Sequence, residues 1–318
     1  MTSILRLPEI KDLLKDVDVV AAMEEGFIQY SNKNTVVPPV GELLFENPKG
    51  EAHIKYGYIK NGDYYCVKIA SGFYNNPSLG VASGQGLMLL FNQKTGAPEA
   101  ILLDEGHLTD VRTAAAGALV AKYFAPKKIT AVGILGTGTQ ARLQLEFLQE
   151  HTPCKNVWIW GRNQENARKF QEALGKEFEI NIADNPAEVA INCNLIITTT
   201  PAEEPLLFAN DIKEGTHITA VGSDTSSKQE LETAIIKKAD LVIADSLPQC
   251  KTRGEIYQAT SDRSIAVERI SELGAAIQDP SKYRSNDKQI SVADLTGVAV
   301  QDIMIAKAVY INYLKHNK

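Results

Sequence analysis

The sequence predicts an α/β protein in which a doubly wound parallel sheet is joined to a second, discontinuous α+β domain. Three observations predict this class. Short apolar runs alternate with helical segments from residue 130 onward, a glycine-rich turn follows the first of these runs, and turn-separated strand patterns fill the first third of the chain. Strands that alternate with helices are typical of parallel sheets, whereas strands joined by short turns are typical of antiparallel ones.

The first third of the chain predicts one helix and a largely antiparallel sheet. Apolar residues recur at helical spacing from Leu13 to Tyr30, and two prolines in "VVPPVGELLF" end that pattern. Four strand-like runs follow, with the turn sequences "NGD", "NNPSLG" and "KTGAP" between them. These runs are "HIKYGYI", "YYCVKIA", "GLMLLFN" and "AILLD".

The pattern changes at Leu108, where the alanine-rich run "LTDVRTAAAGALVAKYF" predicts a helix that ends near Pro126. Six strands are predicted after it: Thr130–Leu135, Val157–Trp160, Glu179–Ile182, Leu195–Thr199, His217–Val221 and Leu241–Ala244. The helical segments between them include Gln140–Glu150, Glu165–Lys176 and Glu230–Lys238. This alternation predicts the doubly wound parallel sheet.

The end of the chain predicts one more helix, Val298–Tyr313. We expect this helix to leave the parallel-sheet domain and to pack on the first lobe, which makes that lobe discontinuous. The predicted domains are therefore residues 1–115 together with 298–318, and residues 116–297.

Composition excludes several classes of partner. The 318-residue chain has a formal net charge of −6, which argues against a nucleic-acid partner because neutralising phosphates needs a basic face. No apolar run approaches the roughly 18 residues of a membrane span, and no signal segment is apparent, so we expect no membrane partner and a cytoplasmic location. The four cysteines form no CxxC pair and the histidines lack ligand spacing, so we expect reduced thiols and no metal site.

The stretch "ITAVGILGTGTQAR" carries a candidate nucleotide turn. Gly136, Thr137 and Gly138 follow the first parallel strand and precede a helix. Glycines permit the tight turn and a close approach of the backbone to a pyrophosphate, and the helix presents free N–H groups and its positive dipole end. The pattern predicts a dinucleotide-binding Rossmann domain, and a glycine turn without a nucleotide stays open as the alternative.

The second parallel strand bears on which dinucleotide binds. An acid at the end of this strand favours NAD, because a carboxylate binds the adenosine ribose hydroxyls. Here "VWIW" is followed by Gly161, Arg162 and Asn163, and none of these is an acid. Because a guanidinium pairs with a phosphate, Arg162 favours NADP(H) over NAD(H). An Arg162 that stacks on the adenine or stays solvated is the alternative.

Four stretches together resemble the ornithine cyclodeaminase/mu-crystallin family over nearly the whole chain. They are "CVKIASGF", "LLDEGHLTDVRTAAAGALVAKYFAP", "GILGTGTQAR" and "AVGSDTSSKQEL", in this order. The family carries Gln-Ala after the second glycine of the turn, which accounts for the missing third glycine. The resemblance implies a homodimer with a Rossmann domain and a substrate and dimerisation domain built from both chain ends. It also implies hydride transfer between a nicotinamide and the α-carbon of an amino or imino acid.

The resemblance assigns three catalytic residues. Lys68 in "CVKIAS" matches the active-site lysine of the family, and Arg112 in "TDVRTAAAG" offers a two-pronged grip on a carboxylate. Asp224 in "VGSDTSS" matches the aspartate that handles protons and the amine. From the residues alone, a solvent-facing Lys68, a surface Arg112 and a turn-capping Asp224 stay open.

Cofactor contacts are expected from the glycine turn, from the start of the helix that follows it, and from matching family positions elsewhere. These residues are Ser83, Arg112, Thr113, Gly136, Thr137, Gly138, Thr139, Gln140, Arg162 and Thr200.

The residues upstream of Lys68 depart from the cyclodeaminase pattern. Cyclodeaminases carry an arginine and then a glutamate there, and a Met-Pro step follows the glutamate. Here Lys55 stands at the glutamate position, and "VVPPVGELLF" contains no basic residue. His53 lies on the same face of that strand at a period of two. Lys55 therefore favours a substrate with a second carboxylate over one with a distal ammonium, unless Lys55 is solvated.

The sequence thus predicts an NAD(P)H-dependent reductase that converts an imino acid into an L-amino acid. The stretch "ASGFYNNPSLGVASGQGLML" most resembles the iminosuccinate reductases of the family, which form aspartate. Two alternatives stay open. One is an ornithine cyclodeaminase-type lyase that recycles bound NAD, and the other is an NADPH-binding protein of the mu-crystallin type.

Overall fold

The computed structural model describes residues 2–73, 75–261 and 265–317. Tyr74, in the stretch compared above with iminosuccinate reductases, lies outside these ranges. The chain divides into two compact units, Met1–Arg112 with Val298–Lys318, and Thr113–Gly297. Within the described ranges, no helix is long and apolar enough to cross a membrane.

The first unit begins with a strand and two helices, β1 (Ser3–Arg6), α1 (Leu7–Leu14) and α2 (Val19–Ser31). The single helix predicted from Leu13 to Tyr30 is therefore wrong at its start. Asp18 separates the two helices, because its side chain accepts a hydrogen bond from Ala21 N at 2.9 Å and so caps α2.

A largely antiparallel sheet follows in this unit, as the turn-separated strand patterns predict. Its strands are β2 (Thr35–Val36), β3 (Gly41–Phe45), β4 (Gly50–Ile59), β5 (Tyr64–Phe73), β6 (Gly84–Asn92) and β7 (Pro98–Leu103). The sheet order is β1-β7-β6-β5-β4-β2, and β3 also pairs with β4. The pairing of β1 with β7 is parallel and was not predicted. A 3₁₀ turn, Asn76–Leu79, lies between β5 and β6.

Helix α3 (His107–Phe124) matches the predicted alanine-rich helix and leads into the second unit. The elements that follow are β8 (Val132–Leu135), α4 (Thr139–Leu148), β9 (Asn156–Trp160), α5 (Gln164–Leu174), β10 (Glu179–Ile182), α6 (Pro186–Asn192), β11 (Leu195–Thr198), β12 (His217–Ala220), α7 (Thr233–Lys238), β13 (Leu241–Ala244), α8 (Glu255–Ser261), β14 (Ile270–Glu272), α9 (Leu273–Gln278) and β15 (Ser291–Asp294). The described residues of this unit also form three 3₁₀ turns: Gln249–Lys251, Val267–Arg269 and Pro280–Lys282.

All eight strands of the second unit are parallel, in the order β10-β9-β8-β11-β12-β15-β13-β14. The six predicted strands are confirmed, and β14 and β15 were missed. Strand β15 lies between β12 and β13, and all four of its residues are buried. Its sequence "SVAD" begins with a serine and ends with an aspartate, so it lacks the apolar run that identifies a buried strand.

The helix predicted over Glu230–Lys238 begins at Thr233 instead. The reason is that the backbone of Glu230 is already engaged by another segment. Its carbonyl accepts hydrogen bonds from Leu206 N at 2.8 Å and Leu207 N at 3.1 Å, so it is not available to start a helical turn.

The last helix, α10 (Ala299–His316), packs on α2, β4 and β5 within the first unit. Its N-terminal half is almost entirely buried, which covers the inner face of the antiparallel sheet. Near its other end, Asn312 Nδ2 donates a hydrogen bond to Leu13 O at 2.9 Å. The two ends of the chain therefore share one core.

Candidate active site

A buried lysine lies on the inner face of the antiparallel sheet. Lys68 is on β5, where side chains alternate between the two faces of the sheet, and it is only 2% exposed. Its Nζ lies 3.4 Å from Asp302 Oδ2 of α10. Burial lowers the pKa of Lys68, and the Asp302 carboxylate partly offsets that effect. A solvent-facing Lys68 is excluded.

A second buried cation shares the same carboxylate. Arg112 is 4% exposed, and its Nε lies 3.2 Å from Asp302 Oδ1. Its Nη1 donates to Gln301 Oε1 at 3.0 Å, and Gln301 Nε2 donates to the Arg112 carbonyl at 3.2 Å. The charges of Lys68, Arg112 and Asp302 sum to one positive charge. Asp104, which is also buried, interacts electrostatically with Lys68 as well. Two cations that share the Asp302 carboxylate favour an anionic ligand.

Sequence reasoning missed Asp302. A signal for it exists in the run "VAVQDIMIAKAVY", where an acid is surrounded by apolar residues on a predicted helix. The residues three and four positions away on either side are Val298, Ala299, Ile305 and Ala306, so the helix has no polar face to carry this acid. An acid in such a place needs a buried partner.

Lys55 lies directly opposite Lys68 in the antiparallel pairing of β4 with β5. Side chains at opposed positions share one face, with Cβ atoms about 5 Å apart. Lys55 is 6% exposed, so the alternative of a solvated Lys55 is wrong. The inner face of the sheet therefore carries two buried lysines side by side.

His53 shares this face but has a different electrostatic environment. Its Nε2 lies 3.7 Å from Glu42 Oε1 and 3.8 Å from Glu51 Oε2. Two carboxylates beside the imidazole oppose the binding of a further acid there. This environment favours Lys55 over His53 as the residue that meets a distal substrate carboxylate.

The second unit holds a cleft of about 650 Å³ at the carboxyl ends of β8, β9 and β11, where parallel sheets bind their ligands. The loops that follow these three strands form its walls. Among the residues predicted to bind the cofactor, five line the cleft: Gly136, Thr137, Gly138, Arg162 and Thr200.

Two positions of the turn carry glycine, for a different structural reason at each. Gly136 has a φ of +120°, and a Cβ there would collide with the Thr199 hydroxyl. Gly138 precedes α4 directly, and no atom lies within 4 Å of the position that a Cβ would take. The open space beside Gly138, next to the free N–H groups at the start of α4, fits a pyrophosphate.

We expect Gly138→Ala to leave the melting temperature unchanged but to raise the Kd for a nicotinamide dinucleotide by about tenfold or more. The added methyl group is tolerated by the protein and occupies the space that the pyrophosphate needs. Gly136→Ala serves as the matched variant. It is expected to lower the melting temperature as well, because a side chain at positive φ costs on the order of 1–3 kcal/mol. Thermal denaturation and fluorescence titration check both. Unchanged dinucleotide affinity in Gly138→Ala contradicts the assignment.

The remaining predicted cofactor residues lie outside the cleft lining. Thr139 and Gln140 begin α4 but do not line the cleft. The Thr113 carbonyl accepts a hydrogen bond from Gln144 Nε2 at 3.2 Å, which ties α3 to α4. Ser83 belongs to the first unit, where its carbonyl accepts from Phe73 N at 2.9 Å. Their roles toward a cofactor remain predictions.

Asp224 lies in the loop after β12, at the carboxyl end of this strand, as predicted. Its Oδ1 lies 2.7 Å from Lys228 Nζ, and its carbonyl accepts from Arg253 Nη1 at 3.3 Å. The Asp224 side chain is 38% exposed, whereas that of Lys228 is 11% exposed. The ion pair therefore orients the carboxylate without removing it from solvent, which suits a group that exchanges protons.

The cysteines are free thiols. Burial raises the pKa of Cys193 to about 12, and it also raises the pKa of Cys66 and Cys250. Thiols with raised pKa values form little thiolate and are poor nucleophiles. Across the part of the chain that the structure describes, no group of three or more His, Cys, Asp or Glu side chains could hold a metal ion.

Sequence comparisons identify relatives over nearly the whole chain. The profile of the ornithine cyclodeaminase/mu-crystallin family matches residues 2–317. The uncharacterized cyclodeaminase y4tK of Sinorhizobium fredii is 40% identical over 92% of this chain and 89% of its own. The alanine dehydrogenase of Archaeoglobus fulgidus is 36% identical over 99% and 96%, and the iminosuccinate reductase of Paracoccus denitrificans is 31% identical over 97% and 95%.

Solved structures give the same grouping. An archaeal alanine dehydrogenase dimer with bound NAD superimposes with a TM-score of 0.91 at 34% identity, over 100% of this chain and 97% of that one. The Δ¹-pyrroline-2-carboxylate reductase of Thermococcus litoralis, in complex with NADH and L-proline, superimposes with a TM-score of 0.92 at 29% identity, over 99% and 98%.

Proposed function

The chain belongs to the ornithine cyclodeaminase/mu-crystallin family, and from that membership we propose that it reduces an imino acid to an L-amino acid. It is an NAD(P)-dependent oxidoreductase that acts on CH–NH₂ or C=N bonds, like its characterised relatives. The observation that carries the choice of substrate class is the buried cluster of Lys68, Arg112 and Asp302. Its net positive charge suits the α-carboxylate of an imino acid.

The favoured substrate is an imino dicarboxylate such as iminosuccinate, which gives aspartate on reduction. Lys55 supports this choice, because it adds a second buried cation directly opposite Lys68. Two buried lysines attract a second carboxylate and repel the distal ammonium of an ornithine-type substrate. The relatives named alanine dehydrogenase and iminosuccinate reductase are 36% and 31% identical to this chain, so sequence similarity alone does not choose between the substrates of these two enzymes.

Each residue has a defined role in the proposed reaction. Lys68 and Arg112 hold the α-carboxylate, and Lys55 holds the distal carboxylate. Asp224 supplies or relays the proton that keeps the imine nitrogen charged, which makes the imine carbon more electrophilic. The cleft beside Gly138 holds the dinucleotide, and the bound nicotinamide supplies the hydride.

The experiment that tests the function follows the absorbance of NADH and NADPH at about 340 nm, the reduced-nicotinamide band, with 2-oxo acids and ammonia. Oxaloacetate, pyruvate and glyoxylate are compared with the cyclic imine pyrroline-2-carboxylate. We expect oxaloacetate with ammonia to be reduced fastest. Equal rates on oxaloacetate and pyruvate contradict the dicarboxylate substrate, and a signal confined to the cyclic imine removes the role of Lys55.

The role of Lys55 is tested by comparison with Lys60, a lysine in the turn that joins β4 to β5. Lys55→Met is expected to remove the preference for oxaloacetate over pyruvate. Lys60→Met is the control, because Lys60 Nζ donates to the Lys33 carbonyl at 2.8 Å and lies at an exposed position.

Ammonia released from ornithine, without net change in cofactor absorbance, would instead identify a lyase. Dinucleotide binding without turnover of any imino acid would identify a binding protein.

Arg162 decides the preferred dinucleotide in this proposal. It lines the cleft after β9 and is exposed, so it is accessible to the 2′-phosphate of NADP(H). We expect Arg162→Ala to raise the KM for NADPH by about tenfold, which is about 1.4 kcal/mol of lost phosphate binding, and to leave the KM for NADH nearly unchanged. Steady-state kinetics with both cofactors measures this. Equal effects on the two cofactors would mean that Arg162 contacts a part they share, such as the adenine.

We infer that a second copy of the chain covers the outer face of the antiparallel sheet. Five apolar side chains lie in register across five strands on this face: Ile4, Ile101, Leu89, Val67 and Tyr56. Ile4 is 58% exposed and Tyr56 is 40% exposed, and a broad apolar surface of this kind marks an interface. The archaeal alanine dehydrogenase, whose structure is a dimer, supports a dimeric state of this chain.

Ile69→Glu is expected to convert a dimer into a monomer at micromolar concentration. Ile69 lies on the same outer face and is 38% exposed, and a two-fold interface would bring both introduced carboxylates into it. Ile191→Glu is the control, because Ile191 is 47% exposed but lies on α6 of the second unit. Analytical ultracentrifugation measures the mass. A wild-type monomer, or a dimeric Ile69→Glu protein, would refute this interface.

A further inference from the structure

Glu230 joins two loops of the second unit through one buried carboxylate. Its Oε2 accepts hydrogen bonds from Thr198 Oγ1 at 2.7 Å and Gly222 N at 2.9 Å. Its Oε1 accepts from Thr200 N at 2.6 Å and Thr200 Oγ1 at 2.8 Å. The residue is 0% exposed, and within the described chain no lysine or arginine forms an ion pair with it. All of its stabilisation therefore comes from these four donors.

The two loops carry residues of the proposed site. Thr200 lies in the loop after β11 and lines the dinucleotide cleft. Gly222 lies in the loop after β12, two residues before Asp224. The loops touch at Gly222, where a Cβ would collide with the backbone of Thr200. Glu230 thus connects the wall of the cofactor cleft with the loop that holds the proton-handling carboxylate.

We propose that Glu230 is a positioning residue of this enzyme: it fixes Thr200 of the dinucleotide cleft and the Asp224 loop relative to each other. The catalytic consequence rests on the function proposed above. The bridge itself is a property of the fold, so the two can be tested separately.

The bridge requires the ionised form of Glu230. A carboxylate accepts all four hydrogen bonds, whereas a protonated carboxyl places its own O–H against a donor. Burial raises the pKa of Glu230 to about 7, and the four donors partly oppose that rise. As the pH falls through this value, Glu230 gains a proton and the bridge weakens. We therefore expect an acid limb near pH 7 in kcat/KM that belongs to Glu230.

In the part of the chain that the structure describes, no cation is among the main influences on the pKa of Glu230. The buried Glu255 carboxylate accepts from Glu230 N at 2.7 Å and Leu231 N at 3.1 Å, and burial raises its pKa, with Asp294 and Glu230 adding to the rise. Lys228, two residues before Glu230, forms its ion pair with Asp224. Across the described residues, no ion pair joins Lys228 to Glu230 that would hold the carboxylate ionised below neutral pH.

Glu230→Gln is compared with Glu232→Gln, which changes a neighbouring carboxylate that accepts one hydrogen bond, from Ala209 N at 2.7 Å. Hydrogen–deuterium exchange is expected to rise in residues 199–204 and 221–229 of Glu230→Gln alone. We also expect this variant to raise the dinucleotide Kd by about tenfold, to lower kcat/KM more than that, and to lose the acid limb near pH 7. Glu232→Gln should retain wild-type values of each.

The outcomes separate the proposal from the proposed function. Wild-type exchange rates in both loops of Glu230→Gln overturn the bridge, whatever reaction the protein catalyses. Faster exchange with an unchanged dinucleotide Kd, an unchanged kcat/KM and a retained acid limb overturns the positioning role. If no imino acid is reduced by the wild type, the exchange and dinucleotide measurements still decide whether Glu230 couples the two loops.

Discussion

Replacing Asp302 by asparagine is expected to destabilise the protein by about 3–5 kcal/mol and to abolish activity, because it leaves two buried cations without their shared carboxylate. Lys68 Nζ and Arg112 Nε lie 3.4 Å and 3.2 Å from the two oxygens of Asp302. An asparagine side chain places an NH₂ group against one of these cations. The change therefore removes an attraction and adds a repulsion at a site that is 1% exposed.

Denaturant unfolding of Asp302→Asn measures this loss. Asp16→Asn is the control, because the Asp16 side chain is 65% exposed and its change should stay within about 0.5 kcal/mol. The double variant Lys68→Met with Asp302→Asn removes one cation together with the carboxylate. Its loss of stability is expected to be smaller than the sum of the two single losses by about 1 kcal/mol or more, which is the coupling energy between the contacting charges. Additive effects of the two substitutions would show that Lys68 and Asp302 do not interact.

Lys68→Met is expected to lower kcat/KM for the imino acid by about a thousandfold, or about 4 kcal/mol, while it lowers stability less than Asp302→Asn does. The methionine fills a similar volume, and Arg112 continues to neutralise Asp302. Activity therefore falls because the α-carboxylate loses one of its two cations. A Lys68→Met enzyme with wild-type kcat/KM would exclude Lys68 from substrate binding.

The pH dependence of Lys68 gives a second, independent result. Burial lowers the pKa of Lys68, so the folded protein loses this positive charge at a lower pH than the unfolded chain does. In the proposed reaction the ammonium form binds the carboxylate, so we expect substrate affinity to be full below the folded pKa and to decline as the pH rises through it. Lys68→Arg keeps its charge and should move this alkaline limb to higher pH. An unmoved limb would assign it to another group.

The free energy of unfolding changes with pH in the opposite direction to substrate affinity. Between the folded and unfolded pKa values, the unfolded chain binds more protons at Lys68 than the folded chain does. The free energy of unfolding therefore rises with pH in this window, by linkage. Chemical denaturation at several alkaline pH values should show this rise in the wild type and lack it in Lys68→Met.

The parallel sheet could be predicted because its strands carry local signals. Strand β13 is the run "LVIA", and the residues after β8 contain the glycines that the turn requires, so each is recognisable without its neighbours. Strand β15 is equally buried but was missed. Its Asp294 is accommodated by a hydrogen bond from Ile256 N at 2.8 Å, which comes from a different segment. Because the hydrogen bond from Ile256 makes a buried aspartate possible at the end of β15, the strand is not a continuous apolar run and cannot be recognised from its own residues.

The residues of the candidate site divide in the same way, into those that the sequence predicts and those that only the fold reveals. Lys68, Arg112 and Asp224 were predicted from a family resemblance, because short motifs surround each of them. Asp302 lies outside the quoted motifs, and Glu230 lies within "AVGSDTSSKQEL" but was given no role; both gain their meaning from side chains far along the chain. Glu230 was even assigned to a helix, since its local spacing fits one.

By itself, the sequence determined the strand–helix alternation, the nucleotide turn and the family, because periodicity and short motifs are local properties of the chain. Only the tertiary structure decided which charges are buried together. The sequence left a solvated Lys55 and a solvent-facing Lys68 open, and β4–β5 pairing with the packing of α10 placed both inside, with Lys68 beside Asp302. The reason is physical: the energy of a charge depends on its dielectric surroundings and on the charges near it in space, and neither is a property of neighbouring residues in sequence.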